Sequence, residues 1–197
     1  MFKQVIGIPS TPFLANSFLY SYEAAWMENQ TKTNYALARK FNHTLRYIDD
    51  LATLNNNGNM AKLATKIYPK ELDLKHENKM DDHATFLDID VSIVAGGFST
   101  KLYDKRDAFP FQIVSFPDLS GNICSKVGYG TFTSQIIRIA RACMHWQDFK
   151  ERAQKLTNKL LQQHHSLTRL RTVFLKTWNR HEMQKRYKKS ETYGGCQ

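Results

Sequence analysis

The chain of 197 residues is poor in cysteine. It has three cysteines, Cys124, Cys143 and Cys196, and no short spacing relates them. An odd number of cysteines without a pairing pattern argues against a disulfide framework and indicates a reducing compartment. We therefore expect an intracellular protein, in the nucleus or the cytoplasm.

Long uninterrupted apolar runs are also lacking. The longest uncharged N-terminal stretch, residues 4–22, is interrupted by Pro9, Pro12 and Asn16, and no small-residue cleavage site follows it. The stretch therefore fits neither a membrane span nor a signal peptide. No membrane partner is expected.

Acidic side chains are scarce in the last third of the chain. Residues 131–197 hold 14 basic and 4 acidic side chains, whereas residues 1–130 hold 14 of each, so the net charge of +10 comes from the C-terminal part. A basic excess confined to one segment is typical of a surface that binds a polyanion. A solvated basic helical face is the other interpretation of this pattern.

The spacing of apolar residues predicts an α+β protein. Helical spacing predicts helices over residues 12–29, 60–67, 131–144, 147–164 and 166–187. Thr11 is the expected N-cap of the first helix. The layout is an α+β portion to about residue 120 and a basic helical portion to residue 190, with a disordered tail over residues 191–197.

Alternating apolar residues predict strands in the α+β portion. The expected strands are 43–48 and 51–54, which form one hairpin, then 71–75, and then 85–93 and 98–103, which form a second hairpin. On the strand over 85–93, Asp88 and Asp90 share one face. We interpret them as part of a polar outer face rather than as a carboxylate pair.

Two adjacent carboxylates form the most informative feature, in the segment Arg46-Tyr47-Ile48-Asp49-Asp50-Leu51. Like charges ~4 Å apart repel by roughly 4 kcal/mol at the effective dielectric of a protein surface. A turn that holds both acids therefore favours a bound cation, and Mg²⁺ fits because it prefers hard oxygen ligands and bridges carboxylates to phosphates. A polar hairpin turn without a ligand is the alternative.

The acidic segment and the predicted elements around it, taken in order along the chain, resemble reverse transcriptases encoded by retroelements. A Penelope-like or related element is one candidate clade. Tyr47-Ile48-Asp49-Asp50 is similar to the family's Y-x-D-D hairpin. Gly7-Ile8-Pro9 and Pro12-Phe13-Leu14-Ala15-Asn16 resemble the glycine-rich loop and the helix that precede it. Downstream resemblances are Phe86-Leu87-Asp88-Ile89-Asp90, Lys101 to Asp107, and Ser134 to Arg138 with the basic helices that follow.

The resemblance implies a partial polymerase palm over residues 1–120 and a thumb-like segment over 121–190. It implies an RNA-directed DNA polymerase that uses two magnesium ions. The partners would be an RNA template, a DNA primer and a nucleoside triphosphate, with no other small-molecule cofactor. Asp49 and Asp50 would be the catalytic metal ligands, and Tyr47, Gly7 and Pro9 would contact the substrate.

In the thumb-like segment, the resemblance implies basic side chains that contact phosphates of the nucleic acid. The residues that we expect to make these contacts are Arg138, Arg141, Lys155, Lys159, Arg169 and Arg171.

Two departures from the family pattern lead us to expect an impaired enzyme. The family has a further metal-binding aspartate upstream of the glycine-rich loop, whereas the six residues before Gly7 include no acid. The loop is also short, since only Ser10 and Thr11 separate Pro9 from Pro12. We expect a truncated, catalytically impaired polymerase. A non-catalytic nucleic-acid-binding remnant that uses the basic helices is the alternative, and a remnant without function is a third interpretation.

Overall fold

The computed structural model describes residues 10–54, 59–72, 74–77, 82–111, 113 and 116–187. Gly7, Pro9 and the tail over 191–197 lie outside the described residues. The chain divides into two compact units, Met1–Glu77 and Asn78–Gln197. This division falls earlier than the boundary that the sequence places near residue 120, because the second sheet belongs with the C-terminal helices.

The described part of the first unit combines helices with one hairpin. Its elements are α1 (Thr11–Thr33), α2 (Tyr35–Phe41), β1 (Thr44–Tyr47), β2 (Asp50–Thr53) and α3 (Asn59–Ile67). Ser10 rather than Thr11 is the N-cap of α1, and Pro12 lies in the first turn, where its missing N–H leaves no helical hydrogen bond unmade. Helix α2 begins after Asn34, whose side-chain oxygen accepts a hydrogen bond from the Leu37 amide at 3.2 Å.

The core of the first unit is small. Its buried residues on α3 are Met60, Leu63, Ala64 and Ile67, and the side chains packed against them are Trp26, Leu37, Phe41, Leu51 and Tyr68. Of the apolar stripe expected on α1, Trp26 joins this core, whereas Leu14 and Phe18 are 57% and 51% exposed. Helical spacing therefore overstates how much of the stripe is packed by the described residues.

A three-stranded antiparallel sheet begins the second unit. Its strands are β3 (His83–Phe86), β4 (Ile89–Val94) and β5 (Gly97–Leu102), in the order β3-β4-β5. The single strand predicted over residues 85–93 is wrong, because the chain turns back at Leu87 and Asp88 and pairs Phe86 with Ile89. Asp88 therefore lies in a turn and Asp90 in β4, so the two acids do not share a strand face.

The strand predicted over residues 71–75 is also wrong. Residues 71, 72, 74 and 75 are not in a strand. The amide of Leu72 donates instead to the carbonyl oxygen of Pro69 at 3.0 Å, which makes a turn just after α3. A proline at this point favours the turn over an extended continuation.

Three longer helices follow the sheet, as the sequence predicts. They are α4 (Ser125–Ala142), α5 (Trp146–Leu161) and α6 (Leu167–Arg180), and a short helical segment follows over residues 183–187. Their largest fully buried side chains include Phe132, Ile136, Phe149, Leu160 and Leu170. Among the described helices, none combines the length and the apolar composition that a membrane crossing requires.

Helix α4 begins at Ser125, earlier than the predicted residue 131. The sequence places the start too late because Gly128 and Gly130 interrupt the apolar periodicity in the first turns. A Cβ on Gly128 would lie 2.8 Å from the Leu119 side chain and 3.0 Å from Nε2 of His165, so glycine permits the close packing there. A Cβ on Gly130 would meet nothing within 4 Å. Gly130 therefore leaves this part of the helix surface open.

Candidate functional site

The acidic hairpin, formed by β1 and β2, carries Asp49 and Asp50 at its tip. Its register pairs Tyr47 with Asp50 across a loop of Ile48 and Asp49, so Asp50 begins β2 rather than completing the turn as predicted. Ile48 has a φ of 52°, in the left-handed region. That conformation is unfavourable for a β-branched residue, at about 1–3 kcal/mol, so surrounding contacts must hold it.

Both carboxylates of the acidic hairpin are exposed. Within the part of the chain that the structure describes, neither side chain has a hydrogen-bond or ion-pair partner. Tyr47 is 56% exposed and lies directly opposite Asp50, which puts the two side chains on one face of the hairpin. The structure thus brings together the two predicted metal ligands and one of the three residues predicted to contact substrate.

Asp49 and Asp50 present carboxylate oxygens at this tip. Mg²⁺ is commonly held by one or two carboxylates together with substrate phosphates and water. Over the described ranges, no group of three or more His, Cys, Asp and Glu side chains could hold a metal ion. A metal ion at Asp49 and Asp50 would therefore need further oxygen ligands from nucleotide, nucleic acid or water.

Beneath the turn, Arg46 joins the hairpin to α1. Its Nε donates to Oε1 of Glu23 at 2.6 Å, and its Nη1 donates to Oδ1 of Asn16 at 2.6 Å and to the carbonyl oxygen of Ile48 at 3.3 Å. The hydroxyl of Tyr68 donates to the same Glu23 oxygen at 2.6 Å. Burial, followed by this hydrogen bond to Glu23, raises the pKa of the Tyr68 hydroxyl, which therefore stays a donor.

In the second unit, several basic side chains are paired with acids. Arg138 donates from Nε to Oδ2 of Asp88 at 2.7 Å. Asp107 lies among three cations of α5: it contacts Arg152, Nζ of Lys155 at 2.7 Å and Nζ of Lys159 at 4.0 Å. Burial alone would raise the pKa of Asp107, but hydrogen bonds from Lys155 and Arg152 outweigh it and lower the pKa.

A second set of basic side chains lines a groove between α4 and α6. This basic groove has a volume of about 630 Å³. Its lining residues are Ser125, Lys126, Tyr129, Gly130, Thr133, Arg169, Thr172, Val173, Lys176, Thr177, Arg180 and His181. Among the described residues, the lining includes four lysines and arginines and no acid.

The four lysines and arginines of the groove lining are exposed, whereas Tyr129 and Thr177 are buried. The guanidinium of Arg169 lies 5.1 Å from the centroid of the Tyr129 ring, a cation–π contact that fixes the arginine above the aromatic face. Gly130 contributes no side chain to the lining.

The six basic residues singled out by sequence are distributed over different surfaces. Arg169 lines the basic groove. Arg138, Lys155 and Lys159 are engaged in the ion pairs with Asp88 and Asp107, and Arg141 and Arg171 are exposed outside the groove. The phosphate contacts of all six stay predictions.

Sequence reasoning missed the other basic residues of the groove, which are Lys126, Lys176, Arg180 and His181. One signal was available: Arg169, Lys176 and Arg180 recur at helical spacing on one face of α6. Lys126 had no such signal, since α4 was expected to begin after it.

No family model, curated protein or solved structure matches this chain. The resemblance to reverse transcriptases therefore depends on the motifs themselves. The structure adds two local arrangements to them: a strained turn with two uncovered carboxylates, and a groove lined by cations.

Proposed function

We propose that this chain is a reverse transcriptase-like protein, by descent an RNA-directed DNA polymerase, in which the acidic hairpin is the metal-binding element. The observation that carries the proposal is the turn itself. Two adjacent, exposed carboxylates, without partners among the residues that the structure describes, follow a β-branched residue held at a φ of 52°. Backbone strain that the surroundings maintain is concentrated at ligand-binding and catalytic positions.

The residues of the hairpin have distinct roles in this proposal. When bound, Mg²⁺ would activate the 3′ hydroxyl of a primer and stabilise the leaving pyrophosphate. Asp49 and Asp50 supply anionic oxygens, and Tyr47 lies beside Asp50 as a surface for the primer end. Because the described protein ligands are only these two carboxylates, metal affinity is weak and activity is impaired.

Primer extension on an RNA template tests this proposal. The full chain should extend a DNA primer slowly with Mg²⁺, and Asp49→Asn should abolish the extension. Glu71→Gln is the matched control, since Glu71 is an exposed acid of the same unit outside the hairpin. Extension that survives Asp49→Asn, or the absence of any extension with either Mg²⁺ or Mn²⁺, contradicts the proposed metal-dependent activity.

A second candidate is a non-catalytic protein that binds nucleic acid, and the basic groove favours it. Four lysines and arginines line this groove, and its described lining holds no acid. Lys176→Gln and Arg180→Gln should each weaken binding of a fluorescent RNA oligonucleotide similarly for different sequences. Each should also reduce the dependence of log affinity on log salt by about one unit of slope.

The control for the groove is Lys150→Gln, which removes an exposed lysine of α5 outside the groove lining. It should change RNA affinity less than either groove variant does. Equal effects of all three variants would mean that binding follows net charge alone and would contradict a specific groove. Asp49→Asn should leave RNA affinity unchanged if this second function holds.

A further inference from the structure

We infer that Arg46 is a positioning residue that holds the acidic turn in its left-handed shape and keeps Asp49 and Asp50 uncovered. The inference rests on the proposed function of the acidic hairpin. It concerns a residue that contributes no ligand itself and acts through the backbone of the turn.

One contact of Arg46 reaches the strained residue, and its other contacts reach α1. One nitrogen, Nη1, is shared between the carbonyl oxygen of Ile48 at 3.3 Å and Oδ1 of Asn16 at 2.6 Å. The Nη2 nitrogen donates to the backbone oxygen of Asn16 at 3.3 Å. The guanidinium thus connects the peptide of the strained residue to α1. Because α1 is a long helix, this connection restrains the turn.

The charge of Arg46 is compensated away from the tip. The side chains of Arg46 and Glu23 are 11% and 14% exposed, and their ion pair lies at 2.6 Å. Tyr68 fixes the Glu23 carboxylate from α3's end. Because Glu23 neutralises the guanidinium, Arg46 supports the turn without drawing the carboxylates of Asp49 or Asp50 into an ion pair.

The planar guanidinium is required for this arrangement. Arginine presents several donors in a fixed fork, whereas lysine presents one compact ammonium group. A lysine at position 46 could pair with Glu23, but it could not also donate to both Asn16 and the Ile48 carbonyl in the same geometry.

The turn between β3 and β4, which also holds a residue at positive φ, serves as an internal comparison. Leu87 has a φ of 57°, and the residue at the position equivalent to Arg46 is Thr85, whose hydroxyl lies 3.3 Å from Asp90. There the carboxylate of Asp88 is itself bound, by Arg138. In the acidic hairpin, the arginine instead binds a backbone carbonyl and leaves both carboxylates available, which is the arrangement that a ligand-binding turn requires.

The experiment compares variants of the full chain by two measurements. Amide hydrogen exchange reports the protection of the Tyr47 and Asp50 amides in metal-free protein, and water-proton relaxation reports Mn²⁺ affinity. The first variant is Glu23→Gln with Arg46→Met, which leaves no unpaired buried charge and keeps an acceptor for Tyr68. The second is Arg46→Lys, and the control is Arg138→Met.

In the double variant we expect an unfolding midpoint near that of the wild type, but exchange of the hairpin amides about tenfold faster and Mn²⁺ affinity about tenfold lower. Arg46→Lys should likewise keep the unfolding midpoint while it speeds hairpin exchange and lowers Mn²⁺ affinity. Arg138→Met should leave the exchange of the hairpin amides unchanged. If the double variant and Arg46→Lys both protect the hairpin amides as the wild type does, the inference is overturned. If the double variant unfolds, Arg46→Lys decides by itself.

The two proposals fail in different ways. Absence of Asp49-dependent Mn²⁺ binding by the wild type overturns the proposed function. The exchange measurement still decides whether Arg46 holds the turn, because it needs no metal. Faster exchange without a change in Mn²⁺ affinity would overturn the claim that Arg46 positions the ligands.

Discussion

The acidic hairpin and the turn between β3 and β4 share one backbone arrangement. In each, an aromatic residue pairs across a loop of two residues, Tyr47 with Asp50 and Phe86 with Ile89. In each, the first loop residue is aliphatic with a positive φ, 52° and 57°, and the second is an aspartate.

The two turns differ in what happens to the aspartate. Asp88 accepts a hydrogen bond from Arg138 at 2.7 Å and is followed by the apolar Ile89. Asp49 is followed by a second acid, and neither carboxylate has a partner among the residues that the structure describes. Backbone strain therefore does not by itself mark a functional turn. The combination of strain with uncovered carboxylates distinguishes the acidic hairpin from its structural counterpart.

The largest difference between the turns should appear when each arginine is removed. Arg46→Met leaves the nearly buried Glu23 carboxylate without its cation, with only the Tyr68 hydroxyl still donating to it, and should lower the free energy of unfolding by about 3 kcal/mol. Arg138→Met breaks a pair whose side chains are each 42% exposed, and should cost less than about 1 kcal/mol. Urea unfolding of both variants measures the difference, and equal losses would contradict the distinct roles assigned to the two arginines.

A smaller effect should follow from relieving the strain. Glycine adopts a positive φ without a steric penalty, so Ile48→Gly and Leu87→Gly should each raise the free energy of unfolding by up to about 1 kcal/mol, less any packing lost with the side chain. Thermal unfolding measures the gain. A loss of stability in both variants would show that the side chains, rather than the turn geometry, dominate at these positions.

Lowering the pH should reduce the stability of the second unit by a still smaller amount. Hydrogen bonds from the Ser120 amide and hydroxyl, and from His164, lower the pKa of Asp118 to about 2. A carboxyl with a lowered pKa stabilises the fold above its unfolded pKa of about 3.9, and this contribution is lost as the pH falls towards 2. Asp118→Asn should therefore reduce the loss of stability over that window. An unchanged acid profile would contradict the role of Asp118.

Much of the fold could be predicted from the sequence. The spacing of Ile136, Ile139, Ala140 and Cys143 predicts the buried face of α4, and all four are buried. The acidic hairpin is likewise expected, with its loop displaced by one residue. These elements are predictable because the apolar residues of a packed helix or strand recur at a regular spacing along the sequence.

Other features could not be predicted, for identifiable reasons. The turn at Leu87 contains no glycine, asparagine or proline, so the chain reads as one continuous strand through a reversal that tertiary packing imposes. The pairing of Lys155 and Lys159 with Asp107 joins residues far apart in sequence. The basic groove depends on two helices lying side by side, which no single periodic pattern specifies.

The most direct test of the central claim is an Mn²⁺ titration of the full chain by water-proton relaxation, with Asp49→Asn and Asp88→Asn as a matched pair. Both variants remove one carboxylate from a turn of the same geometry. If the acidic hairpin binds divalent ions, the enhancement is lost in Asp49→Asn and kept in Asp88→Asn. Equal enhancement in both variants, or its absence in the wild type, would contradict the account.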